Sequence, residues 1–482
     1  MTGTYLGLDI GTSGVKALLI GTDQTPIAEA HASLDVSRPH PGWSEQDPDD
    51  WVRAVEAVID HLATSHPSQL AALRGIGLSG QQHGATLLDA ADRPLRPAIL
   101  WNDGRSSAEC RALAARADFL GIGGNLVMPG FTAPKLEWVR MNEADIFKKT
   151  AKVLLPKDYV RLFLIGDHVS EMSDASGTHW LDVANRRWSP DLLGATHMTE
   201  DQMPRLVEGS AASGDLRPAL ADRWGIGGTV TVAGGGGDNA AAACGVGAVS
   251  PGSGFLSLGT SGVLFVSTPG FAPNTGQAVH AFCHAVPDTW HQMGVILSAT
   301  DSLNWLARIT GRDPAALAEQ GSAAPGGQVT FLPYLSGERT PHNNANARGT
   351  FDGLSQSSRV PDLARAVLEG VAFAFADCLD ALQDAGTEPA TIYAIGGGAR
   401  SRGWLQIIAD ATGLTLALPD KGDFGGALGA ARLGLIAATG AAPHDICTPP
   451  PVAAEISPSQ ASADTLAPRR ARYRALYPAL HG

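Results

Sequence analysis

The chain has 482 residues, and 35 Lys and Arg against 48 Asp and Glu give it a formal net charge of −13. An acidic balance with no basic run longer than Arg469–Arg470 offers no electrostatic footprint for a nucleic-acid backbone or an anionic membrane, so neither is an expected partner. With 44% hydrophobic residues, 17% charged residues and 57 glycines, the composition excludes a disordered or fibrous chain and predicts a turn-rich globular enzyme of two large domains.

At the N-terminus no basic segment precedes an apolar stretch, so no secretory leader is read and a cytoplasmic location is expected. Residues 5–20 (YLGLDIGTSGVKALLI) predict two strands joined by a Gly-Thr-Ser-Gly turn. Strand signals follow at 74–79 and at 85–89, the latter closed by a turn at Asp92-Arg93-Pro94. Residues 230–244 (VTVAGGGGDNAAAAC) read as strand, glycine turn and helix. Residues 246–254 are the most linker-like stretch, and just beyond them LSLGTSGV repeats the opening LDIGTSGV at an offset of 248, which predicts a duplicated domain. The charge-free run from 239 to 287 is broken too often by Gly, Pro, Ser and Thr to span a membrane. A helix is predicted over 362–382, and 391–409 again reads strand, glycine turn, helix. The stretch from 439 to 463 looks loosely packed, with a surface helix after it. The expected organisation is therefore 1–246, 254–440 and a tail at 441–482. Five well-separated cysteines without a C-x-x-C pair fit a reducing compartment rather than a disulfide framework.

Several of these turns carry chemistry. Successive N–H groups of a glycine turn can converge on one anion, and the hydroxyls of Thr12, Ser13 and Thr260 add donors, so the two turns together suit one polyphosphate. The copies differ in charge: Asp9 and Lys16 of the first stand where the second has Ser257 and Leu264, which gives the first copy the metal and phosphate work. Asp238 follows four glycines at a helix start, where something must approach the backbone closely, yet an Asp there also serves as an ordinary N-cap. Gln82 and His83 lie between glycines at a strand end, suited to a polyhydroxylated ligand or to a satisfied structural histidine. Trp101 and Asn102 offer an aromatic face beside polar groups, as sugar sites do, and also read as a surface loop. The glycine turn at 396–398, with Arg400 and Ser401, can pass beneath a nucleobase or ribose. In VHAFCHAV (279–286) alternation puts His280 and His284 on one strand face and Cys283 on the other, so zinc is not expected.

The motifs DIGTSGVK (9–16), PGWSEQDP (41–48), GFTAPKLEW (130–138) and GTFDGL (349–354) with AVLE (366–369) together resemble the FGGY family of carbohydrate kinases over nearly the whole chain. That resemblance implies an α/β fold of two duplicated actin- and hexokinase-like (ribonuclease H-like) domains with an active-site cleft between them. The stretches 80–89, 100–105 and 332–342 are similar to family members that phosphorylate D-xylulose, although Gln82 stands where such members can have Met. The implied activity is transfer of the ATP γ-phosphoryl to the 5-hydroxyl of D-xylulose with Mg²⁺. Ribulose, arabinitol and xylitol are alternative substrates, and a non-enzymatic ATP-dependent switch is the alternative from another class. By the same resemblance Asp238 accepts the proton and Asp9 serves metal and phosphate. Gln82 and His83 bind the sugar with Trp101, Asn102 and Asn239. Thr12, Ser13, Lys16, Gly259, Thr260, Gly397, Gly398 and Ser401 hold ATP. The expected partners are thus sugar and nucleotide, and the reading allows a homodimer.

Overall fold

The computed structural model describes residues 3–420 and 425–481; Met1, Thr2 and Gly482, the ends of the expected first domain and tail, lie outside them. The first sheet begins with β1 (Thr4–Ile10), β2 (Gly14–Gly21) and β3 (Pro26–Ser33), an antiparallel meander turned by the first Gly-Thr-Ser-Gly. The helix α1 (Pro48–Ser65) then presents Trp51, Val55, Val58, Ile59 and Leu62, one helical face, to this core. β4 (Leu73–Gly80) pairs parallel with β1, β5 (Ala212–Asp215) lies at the far edge, and β6 (Thr231–Ala233) pairs parallel with β4. The order is β5-β6-β4-β1-β2-β3.

The second sheet repeats this plan. It holds β7 (Ser253–Leu258), β8 (Gly262–Thr268), β9 (His280–Cys283), β10 (Trp290–Ile296), β11 (Thr391–Ile395), β12 (Leu416–Pro419) and β13 (Val452–Ile456) in the order β9-β10-β8-β7-β11-β12-β13. From β10 to β12 the pairings run antiparallel, antiparallel, parallel, parallel, as they do from β3 to β6. The sequence repeat is thus a repeat of fold, and the α/β class and duplication hold.

The match is not residue for residue. Asp9 faces Lys16 across the first hairpin, but Ser257 faces Val263 rather than Leu264. The second ladder closes at Leu258 and Gly262, and the next helix engages the turn beyond it: the N–H groups of Ala299 and Asp301 donate to the Thr260 carbonyl, and that of Thr300 donates to the Gly259 carbonyl.

Among the helices that follow are α2 (Asp238–Gly245), α3 (Thr300–Thr310), α4 (Val360–Asp384), α5 (Arg402–Thr412), α6 (Gly426–Thr439) and α7 (Gln460–His481). α4 starts at Val360, so Pro361 lies inside its first turn rather than before it, where its missing N–H costs nothing. α6, in the second half by sequence, packs on β1 and β4 of the first sheet. Glycines make that contact close: a Cβ at Gly7 would lie 1.9 Å from the Ala427 carbonyl oxygen. Conversely, Ala243 of α2 and the adjoining Val246 pack with Phe255 and Phe265 of the second sheet. α6 therefore packs on the sheet of the other half, and α2, packed on α6, also reaches the second sheet.

The tail departs from its expected looseness. β13 completes the second sheet, and α7 begins at Gln460 and buries Leu466 and Tyr473 while Arg470 and Arg474 pair with Asp377 of α4. Its apolar contacts are spaced among Arg and Pro, which hides them from a reading by composition. All five cysteines are buried thiols, and no described helix is long and apolar enough to cross a membrane.

Candidate active site

The first glycine turn is held by residues from three other segments. The Thr12 hydroxyl donates to Gln81 Oε1 (2.9 Å) and accepts from the Trp101 indole (3.0 Å), while Gln46 Nε2 donates to the Thr12 carbonyl (2.7 Å). Gln46 Oε1 in turn accepts from Trp51 and Gln81. The PGWSEQDP segment thus acts as a brace beneath the turn. Ser13 is exposed at its tip. Asp9, at the end of β1, accepts the Ser79 hydroxyl at 2.7 Å. Lys16, opposite it in register, reaches Glu29 on β3 at 3.3 Å.

Asp238 is the first residue of α2, and Gly237 occupies the cap position. Its carboxylate opens onto the cleft and, among the described residues, accepts from Asn239 alone, through the backbone N–H (2.7 Å) and Nδ2 (2.9 Å). The ordinary N-cap role is therefore not what the side chain performs, since no N–H further into the first turn depends on it. The surrounding protein crowds this carboxyl and pushes it up to about 6, with the charge of Asp9 adding to the rise.

Gln82 lies against this turn so tightly that a Cβ at Gly237 would fall 2.6 Å from its Nε2, which explains the glycine there. Gln82 Nε2 donates to the Ser173 carbonyl, and the Ser173 hydroxyl accepts the Gly237 N–H at 3.0 Å. Behind Ser173 is a fully buried ionic cluster in which Lys157 meets Asp158 (2.7 Å), Asp174 (2.9 Å) and Glu171 (3.4 Å).

His83 has φ 67°, an unusual conformation for a non-glycine residue. Its carbonyl is held by the Thr132 hydroxyl and the buried Lys135 ammonium (2.8 Å), both from the GFTAPKLEW segment. Its Nδ1 lies 2.6 Å from the Gly177 carbonyl, which can only accept, so the ring proton sits on Nδ1 and Nε2 keeps its lone pair. Burial lowers the imidazole to about 3, so it stays neutral.

One cavity of about 360 Å³ brings these parts together. From the first half it is lined by Gln82, His83, Trp101, Asp238 and Asn239, and from the second by Ser257, Gly259 and Thr260. Asn102 is exposed and is not part of that lining. Sequence reasoning missed Met128, Phe131, Phe282, His280 and Arg339, which also line it. Phe131 lies within the GFTAPKLEW motif and Met128 just before it, and the last three come from the second half. A second cavity of about 580 Å³ lies between α3, α5 and the Pro314–Ala323 helix. Gly397, Gly398 and Ser401 line it beside Thr300, so α3 links it to the second glycine turn. Ser401 also caps α5, accepting the Trp404 N–H at 3.4 Å.

Residues 4–245 match the N-terminal domain, and residues 254–438 the C-terminal domain, of the FGGY family of carbohydrate kinases. The chain is 52% identical over 438 residues to the xylulose kinase of Escherichia coli (strain K12), covering 90% of each chain, and 51% identical over 437 residues to that of Klebsiella pneumoniae, again covering 90% of each. Its fold matches the crystal structure of a xyloylose kinase from Brucella ovis with TM-score 0.97 and 59% identity, covering 99% of both chains. The xylulose kinase from Rhodospirillum rubrum matches with TM-score 0.92 and 31% identity, also covering 99% of both.

Proposed function

From the premise that the chain belongs to the FGGY family of carbohydrate kinases, shown by matches to both domains, we propose that it transfers the γ-phosphoryl group of ATP to the 5-hydroxyl of D-xylulose. The observation that carries this reading is the composition of one cleft: a raised carboxylate, an amide and a neutral imidazole from the first half face a glycine turn of the second. Residues 1–246 form the sugar, metal and phosphate side and residues 254–440 the nucleotide side.

In this reading Asp238 takes the proton of the 5-hydroxyl while that oxygen attacks the γ-phosphorus in line. Gln82 and His83, with Trp101 and Asn239, orient the sugar. The Nε2 lone pair of His83 accepts a sugar hydroxyl. Thr12, Ser13, Lys16, Gly259 and Thr260 face the phosphates, and Gly397, Gly398 and Ser401 the nucleoside. Among the described residues no three His, Cys, Asp or Glu side chains converge as a metal cage. Asp9, half-buried at a strand end, fits a Mg²⁺ that arrives on phosphates and takes one or two protein carboxylates. When bound, the ion supplies neutralisation of phosphate charge.

A coupled assay of sugar-dependent ADP release tests this. Xylulose should give a higher kcat/KM than ribulose, xylitol, arabinitol or glycerol, because a mismatched sugar leaves buried polar groups unpaired. Release that does not depend on any sugar would make the protein an ATP-dependent switch instead.

A further inference from the structure

Two groups of the cleft differ in chemistry: the Asp238 carboxyl is raised by burial and by the charge of Asp9, and the His280 imidazole is lowered by burial and by Arg339, His83 and His179. His280 and Arg339 both line the cavity, and both come from the second half of the chain.

The protonation of His280 is set by a buried neighbour. Asn125 Nδ2 donates to the carbonyls of Gly123 (2.9 Å) and Ala281 (3.0 Å), which fixes its amide so that Oδ1 is the acceptor. That oxygen takes the Ala281 N–H (3.3 Å) and His280 Nδ1 (3.1 Å), so the His280 proton is on Nδ1 and its Nε2 can only accept. The ring is held against Phe282, centroids 5.7 Å apart at 23°. Arg339 is held from behind, its N–H donating to Glu338 Oε1 at 2.8 Å, and that oxygen also accepts the N–H of Leu297, another cavity residue. Arg339 Nη1 donates to Asn343 Oδ1 (2.9 Å) and to Met128 Sδ, and Nε and Nη2 donate to no described residue.

We infer that His280 and Arg339 form a subsite that reads the α-hydroxyketone end of an open-chain ketose, the guanidinium donating to the C2 carbonyl and the O1 hydroxyl donating to His280 Nε2. The inference rests on the kinase reading above, which sets the 5-hydroxyl at Asp238 and so turns the other end of the sugar toward this pair. A guanidinium only donates and a carbonyl only accepts; a neutral Nε2 only accepts and a terminal hydroxyl can donate to it. The pair therefore matches the one end of a 2-ketose at which such groups are adjacent.

The test compares xylulose with 1-deoxyxylulose, which lacks only the O1 hydroxyl, as substrates of the full chain. Wild type should prefer xylulose in kcat/KM by roughly 10- to 10²-fold. His280→Phe, which keeps the ring and its stacking, should bring the two sugars to within about twofold, and His280→Gln, which keeps an acceptor, should restore part of the preference. Arg339→Gln should lower both sugars alike, by roughly 10-fold or more, since both carry the carbonyl. A preference unchanged in His280→Phe overturns the assignment. If that variant does not fold, a crystal structure of wild type with xylulose decides: O1 within about 3.2 Å of His280 Nε2 supports the subsite, and O1 placed elsewhere overturns it. Wild type that turns over no xylulose would instead refute the function proposed above, and this subsite with it.

Discussion

Asp238 heads a helix that it does not cap, so the catalytic role proposed for it can be tested apart from a structural one. Because, among the described residues, its carboxylate bonds to Asn239 alone, Asp238→Asn should lower turnover by roughly 10² to 10⁴ while leaving the fold and xylulose binding intact. With the carboxyl at about 6, kcat/KM should fall as pH drops through that value, because the protonated group cannot take the sugar proton. Asp9→Asn should lower turnover and also shift this acid limb to lower pH, since it removes the charge that holds the Asp238 proton. A limb that stays in place would show that Asp9 and Asp238 do not interact. The stability effect has the opposite sense from a normal carboxylate. A folded-state pKa above the unfolded value means that the folded protein binds the proton more tightly, so ionising Asp238 costs stability as pH rises from about 4 to about 6. Asp238→Asn should therefore melt no lower than wild type at pH 7.5, which thermal denaturation would check. Asp238, Gln82 and His83 could be found from sequence because each is framed by glycines, where backbone and ligand come close. His280 and Arg339 could not, because nothing in a strand's alternation or a loop's composition says which cleft it borders.

At the scale of elements, the support of the site is ionic as well as apolar. The short helix Pro156–Ile165 buries Lys157, Asp158 and Arg161, charges that periodicity alone would place in solvent. They meet Glu171 and Asp174, so three carboxylates face two cations. Burial, with Asp158 and Glu171 nearby, pushes Asp174 up to about 8 despite its contact with Lys157. The folded state therefore holds this proton more tightly than the unfolded chain, and stability should fall as pH rises from about 4 to about 8. Asp174→Asn should flatten that dependence in chemical denaturation. A wild-type midpoint independent of pH across this range would refute it. Lys157→Met leaves the carboxylates uncompensated and should cost about 3 to 5 kcal/mol. Since the cluster abuts Ser173, which touches both Gln82 and Gly237, the same change should raise the KM for the sugar.

Across the whole molecule, the cleft is assembled from both halves, and the helices between the sheets are in close contact. A Cβ at Gly429 of α6 would lie 1.7 Å from the Ala241 carbonyl oxygen of α2, the helix that starts at Asp238. Gly429→Ala should therefore destabilise by about 1 to 3 kcal/mol, or more if the helices cannot separate, and should depress turnover. A cleft lined from both sides also calls for closure, because phosphoryl transfer to sugar rather than water needs water excluded. Xylulose with a non-hydrolysable ATP analogue should reduce the radius of gyration in solution scattering; an unchanged profile would argue for a cleft that is already closed.

The duplication, the two glycine hairpins, the strand-turn-helix units and the residues framed by them are legible along the chain alone. These are local in origin: turn chemistry and residue periodicity act over a few positions, and the repeat copies them. The packing of α6 on the first sheet, the strand of the tail and the two side chains its surface helix buries, the ionic cluster behind Gln82 and the placing of His280, Phe282 and Arg339 along one cavity come from tertiary structure alone. Each depends on contacts between residues distant along the chain, where the identity of the partner, rather than the residue's own pattern, determines whether a charge is buried or a histidine faces a ligand.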